Sequence, residues 1–118
     1  YGLMVHYVLE AAAALEKEGV SVEVIDLRTL LPLDKDSILA SVHKTNKAMI
    51  VYEDNLTLGY GSELAALLAS EAFEDLDGPV MRVASLDVPS MPFNPIMENF
   101  CLPNPSKIAN ALRELAAY

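Results

Sequence analysis

Stretches with helical apolar spacing alternate along this chain with short, β-branched apolar runs, over connections of only a few residues. Strands joined through helices in this way lie parallel, because each crossover returns the chain to the same end of the sheet. The alternation predicts an α/β fold in three layers, a mostly parallel sheet with helices on both faces. Met4, Tyr7, Val8, Ala11, Ala12 and Leu15 recur at helical spacing, and Gly19 closes that helix. Val20 to Leu27 predicts a strand, and Asp34 to Asn46 a helix with Ile38, Leu39 and Val42 inward. Ala48 to Tyr52 is a continuous apolar run, as in a strand covered on both faces. Glu63 to Phe73 reads as a helix and Val80 to Leu86 as a third strand. Residues 87–104 carry Pro89, Pro92, Pro95 and Pro103 and read as a long irregular crossing. Pro105 or Ser106 then opens a last helix with Ile108, Leu112 and Leu115 on one stripe.

Residues 1–118 make one domain, long enough for a single hydrophobic core. No apolar run reaches the roughly 18 residues of a membrane span, and no basic segment leads into an apolar stretch with a cleavage site. The lone Cys101 rules out an internal disulfide and fits a reducing compartment. A formal charge of −9 disfavours nucleic acid, whose phosphates would be repelled. It suits either a solvated acidic surface or a basic protein partner. Tyr1-Gly2 reads as the end of a strand and turn leading straight into a helix, with no strand before it. The chain is therefore expected to be a fragment lacking the first strand of its first βαβ unit.

Few residues suggest chemistry. Cys101 has no histidine near it in sequence and reads as a buried or loop thiol. His6 reads as a helix histidine, and His43 suits the C-terminal end of its helix, where the dipole favours an imidazolium. The two are far apart and have no ligand-spaced Cys or carboxylate, so they make no case for a metal. Gly59-Tyr60-Gly61 follows a strand and opens a helix, where a phosphate loop would lie. It lacks the third glycine of a dinucleotide turn and the Gly-Lys of a triphosphate loop, and Glu53, Asp54 and Glu63 surround it with negative charge. Gly59 and Gly61 thus read as structural turn glycines. Asp34 sits where a helix N-cap belongs. Asp26 and Arg28 read as a pair that fixes the loop after their strand.

Four segments together resemble one family. They are Tyr1-Gly2-Leu3-Met4-Val5-His6, Val24-Ile25-Asp26-Leu27-Arg28-Thr29-Leu30-Leu31-Pro32-Leu33-Asp34, Glu53-Asp54-Asn55 with Gly59-Tyr60-Gly61-Ser62-Glu63, and Pro92-Phe93 with Leu102-Pro103-Asn104. In order and over essentially the whole chain, they resemble the C-terminal domain of the beta subunit of thiamine-diphosphate-dependent 2-oxoacid dehydrogenases, within the transketolase-like group. The resemblance implies a small α/β unit preceded by a pyrimidine-binding domain. It implies that the cofactor and its magnesium ion belong to the parent enzyme and bind outside this domain, so that it has no catalytic, cofactor-binding or metal-binding residue and is inactive alone. The implied parent reaction is oxidative decarboxylation of a 2-oxoacid with acyl transfer to lipoyl. The equivalent domain of a transketolase or deoxyxylulose-phosphate synthase is the alternative, and a stand-alone docking module is another.

The implied role is assembly with an alpha subunit and a second beta subunit. Docking of the basic subunit-binding domain of a dihydrolipoyl acyltransferase is implied as well. Asp75, Asp77 and Tyr118 are the residues assigned to that docking; Tyr118 alternatively frays at the chain end. His6 is assigned to an interface with the catalytic domains. Asp26 and Arg28 match the family block as structural residues. Such a protein is expected in a bacterial cytoplasm, or in a mitochondrial matrix if eukaryotic, without membrane or nucleic-acid partners. Differences from the family pattern between Ser85 and Asn99 leave pyruvate, branched-chain 2-oxoacids and acetoin as substrates of the parent.

Overall fold

The structure, a computed structural model, describes residues 1–118. Three of its five α-helices begin where a short polar side chain accepts from the free amides of the first turn. Asp34 caps α2 (Lys35–Thr45), accepting from the Ser37 amide at 3.1 Å and the Ser37 hydroxyl at 2.7 Å. Those bonds, the hydroxyl's first, hold its carboxyl below the ordinary aspartate range. Asn46 ends the same helix in the left-handed region, φ 59°. Asn104 caps α5 (Pro105–Ala116) by accepting from the Lys107 amide at 3.0 Å, with proline in the first helical turn. α1 (Met4–Glu16) has no side-chain cap; the chain leaves it through Gly19, φ 85°.

β1 (Met49–Asn55) and β2 (Met81–Ser85) run parallel, joined by the crossover helix α3 (Tyr60–Glu71). Met49 lies opposite Met81, Ile50 opposite Arg82 and Val51 opposite Val83. Because side chains alternate along a strand, the sheet serves two cores. Met49, Val51 and Val83 pack with Met4 and Leu15 of α1 and with Ile108 and Leu112 of α5. On the other face Ile50 packs with Val42 of α2 and with Leu68 of α3. The predicted three-layer α/β architecture is what the chain adopts.

Two sequence expectations need correction. Val20 to Leu27 joins no ladder, and the sheet has two strands, not three. β-branched residues favour a strand-like backbone, but pairing needs a neighbour about 4.8 Å away. Here an apolar slot of about 270 Å³ separates the segment from β1. Val22, Val24 and Leu27 line one side and Met49 to Val51 the other. The segment's ends are tied elsewhere: the Val20 amide donates to Leu15 O at 3.0 Å, and the Tyr60 hydroxyl to Leu30 O at 2.8 Å. The second correction falls in the proline-rich crossing, which contains a helix, α4 (Pro95–Cys101). Asn94 caps it, accepting from the Ile96 amide at 2.9 Å, and Lys107 Nζ donates to Phe100 and Leu102 carbonyls at its C-terminal end, at 2.5 and 2.7 Å.

Candidate functional site

The C-terminal ends of β1 and β2 hold the chain's densest polar knot. Tyr52 is fully buried, and its hydroxyl donates to Leu56 O at 3.3 Å. Arg82 reaches along the same sheet face; its Nη1 donates to Tyr52 Oη at 3.3 Å, Leu56 O at 2.8 Å and Ser62 Oγ at 2.6 Å. One guanidinium nitrogen thus pins the loop between β1 and α3. Buried Ser85 donates its hydroxyl to Glu53 O, tying the two strands beyond their ladder. Next to it, Thr57 donates its amide to Asp87 at 3.0 Å and its hydroxyl at 2.6 Å. The Thr57 hydroxyl, its amide and then the nearby Arg82 charge hold the Asp87 carboxyl below the ordinary range. Tyr1 packs edge-on against Tyr60, ring centroids 6.3 Å apart. Burial, and after it the Asp54 charge, pushes the Tyr1 phenol up.

The Gly59–Gly61 turn is filled from inside. A Cβ on Gly61 would overlap the Tyr52 ring, and one on Gly59 would lie 2.7 Å from Tyr52 Cε2 and meet Asn55 O. The glycines are there to let an aromatic ring pass. With that ring in the turn and Asp54 Oδ2 beside it, 3.3 Å from the Gly59 Cβ position, the turn does not fit a diphosphate. Nor do three or more His, Cys, Asp or Glu side chains converge as metal ligands. The turn's residues therefore do not fit the diphosphate of thiamine diphosphate, and no chemical step is routed through that cofactor or through magnesium.

The remaining sequence candidates fall in separate places. Asp26 and Arg28 pair on the surface, Nε to Oδ2 3.4 Å, with the arginine side chain 85% exposed. Such a pair contributes under about 1 kcal/mol. His6 is exposed at the start of α1, flanked by half-exposed Leu3 and Leu9. Asp75, Asp77 and Tyr118, distant in sequence, share one corner. Asp75 ends a 3-10 turn (Phe73–Asp75), and its Oδ1 lies 2.9 Å from His43 Nδ1. Asn46 clamps this stretch to the end of α2, its Nδ2 donating to Asp75 O and its carbonyl accepting from the Asp77 amide, both at 2.8 Å. A Cβ on Gly78 would lie 3.1 Å from Tyr118 Cβ, so the end of α5 rests on the same stretch. Lys47 Nζ completes the joint by donating to Ala116 O at 3.1 Å. Asp77 and Glu74 are exposed, as are the Phe73 and Tyr118 rings.

Sequence reasoning missed Tyr52, Arg82 and Asn46. A signal existed for Arg82, the one charged residue inside the apolar run Val80 to Leu86. Nothing local marks Asn46 as the clamp, because its partners lie about thirty residues away.

Helices on both faces of a parallel sheet, with the polar groups at the strand ends bonded to the protein's own loops, define an α/β domain. The chain belongs to the family described as Transketolase, C-terminal domain, whose model matches residues 1–108. It is 46% identical over its whole length to the 2-oxoisovalerate dehydrogenase subunit beta of Bacillus subtilis, covering 36% of that protein. It is 41% identical over 97% of its length to an acetoin:2,6-dichlorophenolindophenol oxidoreductase subunit beta of the same organism, covering 33% of it. Identity to the pyruvate dehydrogenase E1 component subunit beta of Rickettsia felis is 39% over the whole chain and 36% of that protein. Among solved structures, 98% of the chain superposes on 37% of one described as a split gene transketolase, inactive beta4 tetramer, at TM-score 0.84 and 26% identity. The chain spans about a third of the length of the curated relatives it matches, 36% of the Bacillus subtilis protein.

Proposed function

We propose that this chain is the assembly and docking domain of a 2-oxoacid dehydrogenase beta subunit and carries no catalytic group of its own. The observation that carries the reading is its 46% identity, from end to end, to a 2-oxoisovalerate dehydrogenase subunit beta. The parent enzyme would decarboxylate a 2-oxoacid and pass the acyl group to lipoyl, using thiamine diphosphate and magnesium held elsewhere in an assembly of alpha and beta subunits. Branched-chain 2-oxoacids, pyruvate and acetoin all stay as candidate substrates, since relatives named for 2-oxoisovalerate, pyruvate and acetoin reach 46%, 48% and 41% identity. A bacterial cytoplasm is the proposed location, a mitochondrial matrix the eukaryotic equivalent. The exposed strip of Leu3, His6 and Leu9 on α1 is the proposed contact with the preceding catalytic domains.

Docking is assigned to the corner of Asp75, Asp77 and Tyr118. Its acidic groups and exposed aromatic rings suit a small basic partner, the subunit-binding domain of a dihydrolipoyl acyltransferase, since opposite charges speed encounter and suppress wrong partners. Asp77→Lys, alone and with Asp75→Lys, should weaken binding of that basic domain at least about tenfold at low salt, with the loss shrinking as salt rises. Unchanged affinity would remove the corner from the docking role. Calorimetry of the 118-residue chain with thiamine diphosphate and magnesium should give no heat of binding; micromolar affinity would overturn the non-catalytic reading.

A further inference from the structure

At the acidic corner the chain runs unbonded between two fixed points. The Asp77 amide donates to Asn46 O at 2.8 Å, and the Met81 amide donates to Ala48 O at 3.1 Å. Between them the Gly78 and Val80 amides donate no hydrogen bond, and Pro79 has no amide hydrogen to give. Residues 77 and 78 form a bend, and Asp77 is exposed. A stretch held at its ends and unbonded between them samples other backbone angles at little cost.

Asp77 is also the only aspartate in the chain followed by glycine; the others precede Leu, Lys, Ser, Asn or Val, and no asparagine precedes glycine. A side chain at the next position shields an amide nitrogen from the preceding carboxyl. Glycine leaves that nitrogen open and lets the backbone turn towards the carboxyl. The contrast with Asp36 is direct, because the Ser37 amide that follows it is already taken by the Asp34 carboxylate. At Asp77 a carboxyl and a free amide nitrogen thus stand next to each other, with nothing bonded to the nitrogen.

We propose that Asp77–Gly78 is a self-modifying site, where the aspartyl bond rearranges through a cyclic imide to isoaspartate. The Gly78 nitrogen bonds to Cγ of the protonated Asp77 carboxyl, the Cγ–O bond breaks, and the hydroxyl leaves with the amide proton as water. Water then adds at the former main-chain carbonyl carbon of Asp77; its bond to nitrogen breaks, and the nitrogen regains a proton. No oxidant, reductant or second substrate is required, and the product keeps the mass and charge of the original. Its main chain is longer by one carbon, about 1.5 Å. The joint has little room for that carbon, since a Cβ on Gly78 would lie 3.1 Å from Tyr118 Cβ and 3.8 Å from Leu115 Cδ1. Rearrangement therefore shifts the Asp77 charge and unseats the end of α5. Its effect on docking rests on the role proposed above for this corner; the chemistry does not.

The folded chain is held at physiological temperature and pH and sampled over weeks. Isoaspartate is read by methyl transfer from labelled S-adenosylmethionine, with a protein-carboxyl methyltransferase as catalyst, and placed by peptide mapping. It should accumulate at Asp77 within about tenfold of the rate in a free peptide of residues 73–82, because local opening there is cheap. Asp77→Glu keeps the charge but needs a six-membered ring, and should abolish the signal. Asp77→Asn should release ammonia and reach the same isoaspartate faster. Amide exchange at Ala117 and Tyr118 should speed up in the rearranged chain. A folded chain that stays unmodified while the peptide converts overturns the proposal, as does an Asp77→Asn chain that keeps its amide. Isoaspartate spread evenly over the other aspartates overturns it too. Isoaspartate at Asp77 with unchanged affinity for a basic subunit-binding domain upholds the site and counts against the docking role instead.

Discussion

β1 is packed very differently on its two sides. Beyond Tyr52, toward α3 and the end of β2, the ring fits so closely that two glycines must make way for it, and one arginine nitrogen serves three acceptors. At the edge facing residues 20–27, a slot of about 270 Å³ separates β1 from a segment with which it shares no backbone hydrogen bond. The same strand is thus locked at one end and loosely neighboured along one edge. Buried polar groups have a narrow set of acceptable partners, so the knot is specified atom by atom. Val22, Val24, Met49 and Ile50 ask only for apolar company, which many spacings supply.

The largest expected effect lies in the knot. Gly61→Ala drives a methyl into the Tyr52 ring and should cost about 3 kcal/mol, lowering Tm by roughly 10 °C in thermal unfolding followed by circular dichroism. Tyr52→Leu should relieve most of that clash while opening a cavity of its own. In a double-mutant cycle the pair should couple by about 1 kcal/mol or more. Strict additivity would mean that the glycine serves the turn alone and not the ring.

Arg82→Met comes next. It keeps much of the apolar stem but removes the donor shared by Tyr52, Leu56 and Ser62, and should cost about 1–2 kcal/mol in urea unfolding. Amide exchange should also accelerate between Leu56 and Ser62, with little change in α5. By contrast, Val22→Leu adds a methylene facing the slot and should change stability by under about 1 kcal/mol, since room exists for it. If Val22→Leu proves as costly as Gly61→Ala, the two sides of β1 are packed alike and the contrast is lost.

The same contrast decides what could be read from sequence. Asp34 and the Ile108–Leu112–Leu115 stripe were legible because a cap and a helical face are set by neighbours within a turn or two. Gly59 and Gly61 were legible as a turn, but not their reason, because the Tyr52 ring that needs them enters from the preceding strand. The pattern of Val20 to Leu27 marks a β-like segment yet says nothing about whether a partner stands at pairing distance. α4 was hidden by reading its prolines as breakers, although Asn94-Pro95 is a helix start, a capping side chain followed by proline in the first turn. Asp75, Asp77 and Tyr118 stand out only through the resemblance. Their meeting depends on Asn46 and Gly78, which no local pattern connects to them.

Acidification should separate the two sides of β1 more gently. Asp87 lies on the knot side, and Asp34 caps α2, whose Ile38, Ser41 and Val42 line the slot. Both carboxyls are held below their ordinary range in the folded chain, Asp34 by the Ser37 hydroxyl and amide, Asp87 chiefly by the Thr57 hydroxyl and amide. A depressed folded pKa means that the unfolded chain binds more protons in the window between the two values, so stability rises with pH there. Each contribution is complete above the unfolded aspartate value of about 3.9 and is lost as pH falls through the lower, folded value. Stability from pH 7 to about 5 should therefore be insensitive to these two groups, with the decline confined to more acid solution. Asp87→Asn should flatten that decline while speeding exchange at the Thr57 amide. Asp34→Asn, which can still cap α2, should flatten it while leaving Thr57 untouched. An acid slope equally steep in both variants would place the titrating groups elsewhere, with the Glu18–Arg113 pair, 2.6 Å apart and also lowered at the glutamate by its arginine, the next to examine.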